Sequence, residues 1–150
     1  MIEVIVTGAM LFGSLFLFAY WFRYTCLLIL STKTARDYAA AMAELHQLGF
    51  LEVQSRLQTC ATANLERLHQ SLDRDYAMVR RLLEDASSAQ GQTALEMRML
   101  QMNYSLMSGW ARLCQHLSRS AACRALEEMS QVVAHFANAM GEVAAASAAA

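Results

Sequence analysis

Positions 4–22, VIVTGAMLFGSLFLFAYWF, are apolar or uncharged without interruption. Nineteen helical residues rise about 28 Å, close to the hydrocarbon thickness of a bilayer. After Arg23 the apolar character resumes from Cys26 to Leu30, so a tilted span reaches residue 30 with Arg23 snorkelling toward the headgroups. Glu3, with no basic residue, precedes the run, and no small-x-small site ends it, so an uncleaved anchor is expected rather than a signal peptide.

Beyond residue 33 the period changes to that of amphipathic helices. Nothing stops a helix before Gly49, so residues 33–48 are expected to extend the anchor. A helix over about 51–86 follows from Leu57, Ala61, Leu65, Leu68, Leu72, Tyr76, Val79, Leu83 and Ala86, spaced by three and four. Residues 87–93 are small and polar around Gly91 and read as a loop, and Thr93 with Glu96 resembles a capping box.

The helix from Ala94 carries two apolar stripes. One is Leu95, Met99, Met102, Leu106, Trp110 and Leu113; the other is Met97, Leu100, Tyr104, Met107 and Ala111. Their centres lie about 140° apart at 100° per residue, so the helix must be sandwiched between two other elements. A last helix from about Ser120 alternates by four and three through Ala122, Leu126, Met129, Val133, Phe136, Met140 and Val143, the seam of a coiled coil or bundle. A phase shift between these helices predicts a bend near residues 118–120.

The expected fold class is therefore all-α: a single N-terminal transmembrane helix (1–32), a helical extension or linker (33–48), an antiparallel hairpin or bundle of about three long helices (49–146) and an Ala-rich tail (147–150). The absence of proline from 150 residues, 56% of them hydrophobic, suits long helices. Arg23, Lys33 and Arg36 follow the span and only Glu3 precedes it, which puts the N-terminus outside and the body in the cytoplasm. Lys33 is the only lysine among 12 basic residues, a bias that points to a bacterial chain and hence an inner membrane. Tyr20, Trp21 and Tyr24, with Arg23 and Lys33, form the expected membrane-interface belt. Ala9 and Gly13 make a small-xxx-small pair that permits close helix contact.

Chemistry is sparse. A net charge of −1 offers no field for nucleic acid. Glu66 and His69 stand in ExxH spacing, but a di-iron bundle requires a second such motif and two further carboxylates, so a metal or redox bundle using Glu66, His69, His116 and His135 is the weakest reading. The span carries no histidine for haem or pigment. Cys26, Cys60, Cys114 and Cys123 form no CxxC and read as small buried hydrophobes in a reducing compartment. No nucleophile elbow and no phosphate loop occurs.

No enzyme activity, cofactor, metal or small-molecule substrate is expected. The expectation is an accessory or scaffold subunit that contacts membrane lipid and docks to an integral membrane complex. Met97, Leu100, Tyr104 and Met107, or Ala9 and Gly13 within the membrane, are the candidate contacts. The alternative is a homo-oligomer using the residue 126–143 seam between chains.

Overall fold

A computed structural model describes residues 1–31, 37–58, 64–87 and 94–149. Among the described residues there are six α-helices and no strand: α1 (Ile2–Ser31), α2 (Ala39–His46), α3 (Phe50–Leu57), α4 (Leu65–Ser87), α5 (Ala94–Leu117) and α6 (Arg119–Ala149). The chain divides into two compact units, Met1–Lys33 and Thr34–Ala150.

The first unit is α1. Its 30 residues rise about 45 Å. The most apolar 18-residue window has a mean hydropathy of 2.0 and none of it is buried, so α1 is long and apolar enough to cross a membrane. Two of its polar side chains bond within the helix, the Thr25 hydroxyl donating to the Trp21 carbonyl at 2.9 Å and that of Ser31 to the Leu28 carbonyl at 2.8 Å.

The second unit is organised around α6. Helices α2, α3, α4 and α5 all pack on it. Ala122, Leu126, Met129, Val133, Phe136 and Met140 of the expected seam are buried, and so are Ala125, Val132 and Ala137 beside it. A helix with neighbours on several sides needs this wide apolar arc. The central helix is thus α6 and not α5, and among the described residues the segment expected to hold about three long helices holds four, α3 to α6, with α2 before it. The seam considered for contacts between chains is consumed inside one chain.

The expected extension of the anchor is likewise interrupted. Asp37 and Tyr38 are not helical. Asp37 Oδ1 accepts the Ala39 N–H at 3.0 Å, and Asn138 Oδ1 of α6 accepts the Tyr38 N–H at 2.7 Å. Helix α2 therefore starts from α6 and belongs to the bundle. It stops at Gln47, whose φ of 53° is left-handed, and the Leu48 N–H returns to the Ala43 carbonyl at 2.9 Å. The turn delivers Leu48 and Phe50 to the core.

The expected single helix over 51–86 is two. Helix α3 buries Phe50, Val53 and Leu57; its first turn is capped across the fold by Asp75 of α4, whose Oδ2 accepts the Gly49 N–H at 2.7 Å. Helix α4 starts with Asn64 Oδ1 accepting the Arg67 N–H at 3.2 Å. It buries Leu65, Leu68, Leu72, Val79 and Leu83, with Tyr76 half-buried between them, as the spacing predicts. Each such leucine contributes about 1.5–3 kcal/mol by burial. Of the loop expected over 87–93, Ser87 is the last residue of α4; 88–93, with Thr93 of the expected capping box, lie outside the described residues, as do Ala61 and Lys33.

Ser118 alone separates α5 from α6, at the expected bend, and its carbonyl accepts the Ala122 N–H at 3.1 Å. The two helices run antiparallel. Asn103 Nδ2 donates to Glu128 Oε1 at 2.9 Å, both buried, while Glu96, farther from the turn, acts on His135, farther along α6. Near the end of α6, Gly141 lies against Tyr38, and a β-carbon there would sit 2.8 Å from Tyr38 Cγ. The helix continues into the Ala-rich tail as far as Ala149.

Candidate functional site

Helix α5 is covered on one of its two apolar stripes only. Leu100, Tyr104 and Ala111 are buried, and Met97 and Met107 are half-buried. On the other stripe Leu95, Met102, Leu106, Trp110, Leu113 and, one turn on, Leu117 are between 50% and 75% exposed, with Met99 half-buried. Leu100 and Tyr104, weighed as docking residues from the sequence, are therefore core, and the uncovered face is the other stripe of a helix expected to be covered on both. The difference is tertiary: α5 sits at the edge of the bundle, against α6 and the side chains of α4.

A polar seam holds α5 to α4. Tyr104 stacks on Tyr76 with ring centroids 3.8 Å apart and planes 6° from parallel, and Tyr76 in turn lies 6.0 Å from Phe136 of α6. The Tyr104 hydroxyl donates to Asp73 Oδ1 at 3.0 Å, and Arg112 Nη2 donates to Asp73 Oδ2 at 3.4 Å. His69, only 4% exposed, has its Nε2 at 2.8 Å from Ser108 Oγ and 3.6 Å from Asp73 Oδ2. Burial lowers the His69 pKa below its ordinary value; Asp73 opposes that shift and Arg112 adds to it. Tyr104 is pushed far up, first by burial and then by Asp73, so its phenol keeps its proton and remains a donor. This seam was invisible in the sequence because its members are separated by up to 39 residues.

Ser108, His69 and Asp73 are the residue types of a hydrolytic triad, but their geometry differs. The serine and the aspartate approach the same imidazole nitrogen, Nε2, whereas a triad places them on opposite nitrogens. Ser108 lies inside α5, where backbone N–H groups are committed to the helix ladder and cannot form an oxyanion hole. The network is a structural clamp.

The residues considered for metal binding are dispersed. Glu66 is exposed while His69 is buried, His116 is exposed, and His135 is half-buried with its pKa lowered by burial. Among the described residues no three His, Cys, Asp or Glu side chains converge on a metal position. Cys26 and Cys114 are buried thiols. Cys123 is disulfide-bonded, a departure from the expectation of small buried thiols throughout, and Cys60 lies outside the described residues.

A groove of about 500 Å³ runs between α4 and α5, lined by Tyr76, Arg80, Arg98, Met102, Ser105 and Leu106. Arg80 Nε is held by Glu84 Oε1 at 2.7 Å. On α1 the aromatics expected at a membrane interface are exposed and pair locally: Tyr20 with Tyr24 at 6.5 Å, and Trp21 edge-on to Tyr24 at 6.1 Å, beside exposed Arg23. Ala9 and Gly13 are exposed on the same helix, with open space around Gly13. No known protein family, no curated protein and no solved structure matches this chain.

Proposed function

We propose that this chain is a non-enzymatic, single-pass accessory or scaffold subunit of a bacterial inner-membrane protein assembly. Helix α1 anchors it in lipid, and the helical body presents the outer face of α5 to the assembly. The uncovered stripe on α5 carries this reading. A body that buries its core this thoroughly yet leaves four leucines, a methionine and a tryptophan in one row on one helix has a face suited to protein contact. The polar clamp to α4 fixes α5 in place, so the row is offered on a rigid element.

The test is co-purification of the full chain in gentle detergent with native mass spectrometry. The parent chain is expected in an assembly larger than one subunit, and Leu106→Glu with Trp110→Glu is expected to dissociate it while helicity is kept. A parent chain that purifies as a lone monomer, or a double variant that stays assembled, overturns the reading. Tyr104 is unsuitable for this purpose because its loss strikes the core.

Two observations bear on orientation and they disagree. Arg23, Lys33 and Arg36 favour a cytoplasmic body, whereas the Cys123 disulfide suits an oxidising compartment. The charge bias is the stronger argument, because it acts during insertion, before any disulfide forms. With Ser147→Cys as the reporter, a membrane-impermeant maleimide is expected to label only opened cells, measured against the parent chain. Labelling in intact cells overturns the cytoplasmic placement.

A further inference from the structure

The uncovered row on α5 is symmetrical about its own midpoint. Leu106 stands at the centre; Met102 and Trp110 lie four residues to either side, Met99 and Leu113 seven, Leu95 and Leu117 eleven. Such a row is self-complementary: laid antiparallel on a copy of itself, Leu106 meets Leu106, Met102 meets Trp110, Met99 meets Leu113 and Leu95 meets Leu117. That is the defining property of an isologous two-fold contact, in which residue i touches j and j touches i.

We infer that the occupant of this face is a second copy of this chain, α5 pairing antiparallel with α5 across a two-fold axis at Leu106. The inference rests on the reading of α5 as an assembly face and names its partner. Covered completely, the exposed residues of the row would bury at most roughly 700 Å² per chain, just under the roughly 800 Å² per partner of a stable interface. Confinement of two anchored chains to one bilayer raises their effective concentration and offsets the small shortfall.

The borders of the row suit close approach. Ser105 and Gly109 flank Leu106 on one side, and the space over Gly109 is open, so the two helix backbones can close in near the axis. Arg112, on the same border, reaches Asp73 of its own chain at 3.4 Å, and Arg98 lies on that border too, so the cations sit beside the apolar row and not within it. The exposed tryptophan would gain a partner, Met102 of the other copy, of the flexible, polarizable kind that packs well on an indole.

The experiment is cysteine cross-linking of the full chain in native membranes under mild oxidation, with the parent chain giving the background from its own cysteines. Leu106→Cys is expected to give a band at twice the monomer mass. Chains carrying Met102→Cys and chains carrying Trp110→Cys are expected to cross-link several-fold more when co-expressed than either alone, because like positions in the antiparallel pair are about 12 Å apart along the axis. All three positions are exposed, and retained helicity confirms that the substitutions leave the fold intact. Equal cross-linking by Met102→Cys alone would mean a parallel pair and overturn the inference. A photo-cross-linker at position 106 that joins only a different protein also overturns it while leaving the docking reading standing. No adduct of any kind at 106 overturns both.

Discussion

Gly141→Ala probes whether α2 belongs to the bundle. Two opposite effects compete. Alanine in a helix interior is favoured over glycine by about 1 kcal/mol, and position 141 is well inside α6. Against this, the added methyl falls within the van der Waals envelope of Tyr38 Cβ and 2.8 Å from Tyr38 Cγ, where ordinary contact begins at 3.4 Å. Neither clashing atom is the free end of a flexible chain, so no rotamer change at Tyr38 clears its Cβ. Relief requires α2 to move off α6, at the expense of the Tyr38 N–H bond to Asn138. Overpacking of this kind costs about 3 kcal/mol, at the upper end for a core insertion, leaving a net loss of about 2 kcal/mol. For a body of this size that lowers the melting temperature by roughly 6–10 °C. The assay is thermal denaturation of the full chain in detergent, followed by far-UV circular dichroism. Tyr38→Gly supplies the control, since it deletes both clashing atoms: in that background Gly141→Ala should be neutral or stabilising by up to about 1 kcal/mol. An unchanged or raised melting temperature for Gly141→Ala alone would refute the packing of Tyr38 on α6.

Further outcomes follow from the same contacts. His69 and His135 both have pKa values held below 6.5 by burial, so the unfolded chain binds more protons than the folded one as pH falls past 6.5. Their contribution is complete above that value and is lost below it; melting temperatures should fall between about pH 7.5 and 5.5, and His69→Gln should flatten that slope. Burial raises Asp75, the cap of α3, so its folded carboxyl binds a proton more readily than the unfolded one, and its effect has the opposite sign, beginning above 3.8. Gln47→Gly should stabilise the body by about 1 kcal/mol in a denaturant titration, because glycine takes the left-handed conformation at no steric cost. Tyr104→Phe keeps the stack on Tyr76 but removes the bond to Asp73, and should lose about 1–2 kcal/mol in the same titration, with Asp73 still paired to Arg112.

How much of this was legible in the sequence depended on where each signal lies. The α4 stripe was readable because one helix face meets one core, so period alone locates Leu65 to Leu83; on α6 the period located the Leu126 to Met140 seam but not Ala125, Val132 and Ala137, buried beside it because several helices surround α6. The bend at Ser118 was readable from the change of phase. The break before α2 and the turn at its end were not, because Gln47 makes a left-handed turn with no glycine to announce it, and the Asn138 side chain that starts α2 is 100 residues away. The two stripes of α5 were visible, but which one folding covers is decided by the position of α6 and by Tyr76 meeting Tyr104. Periodicity reports that a face is apolar and says nothing about what lies opposite. The clamp around Asp73 was hidden for the same reason: no local pattern links His69 to Ser108.

The placement of α6 also sets an order of events during translation. Helices α2 to α5 leave the ribosome before the helix on which all of them pack. The parts of their apolar faces that meet α6 therefore have no native cover until the chain beyond residue 119 has emerged, although α3 with α4 and α4 with α5 already have partners in each other. The body can complete its tertiary structure only once α6 has emerged, late in synthesis.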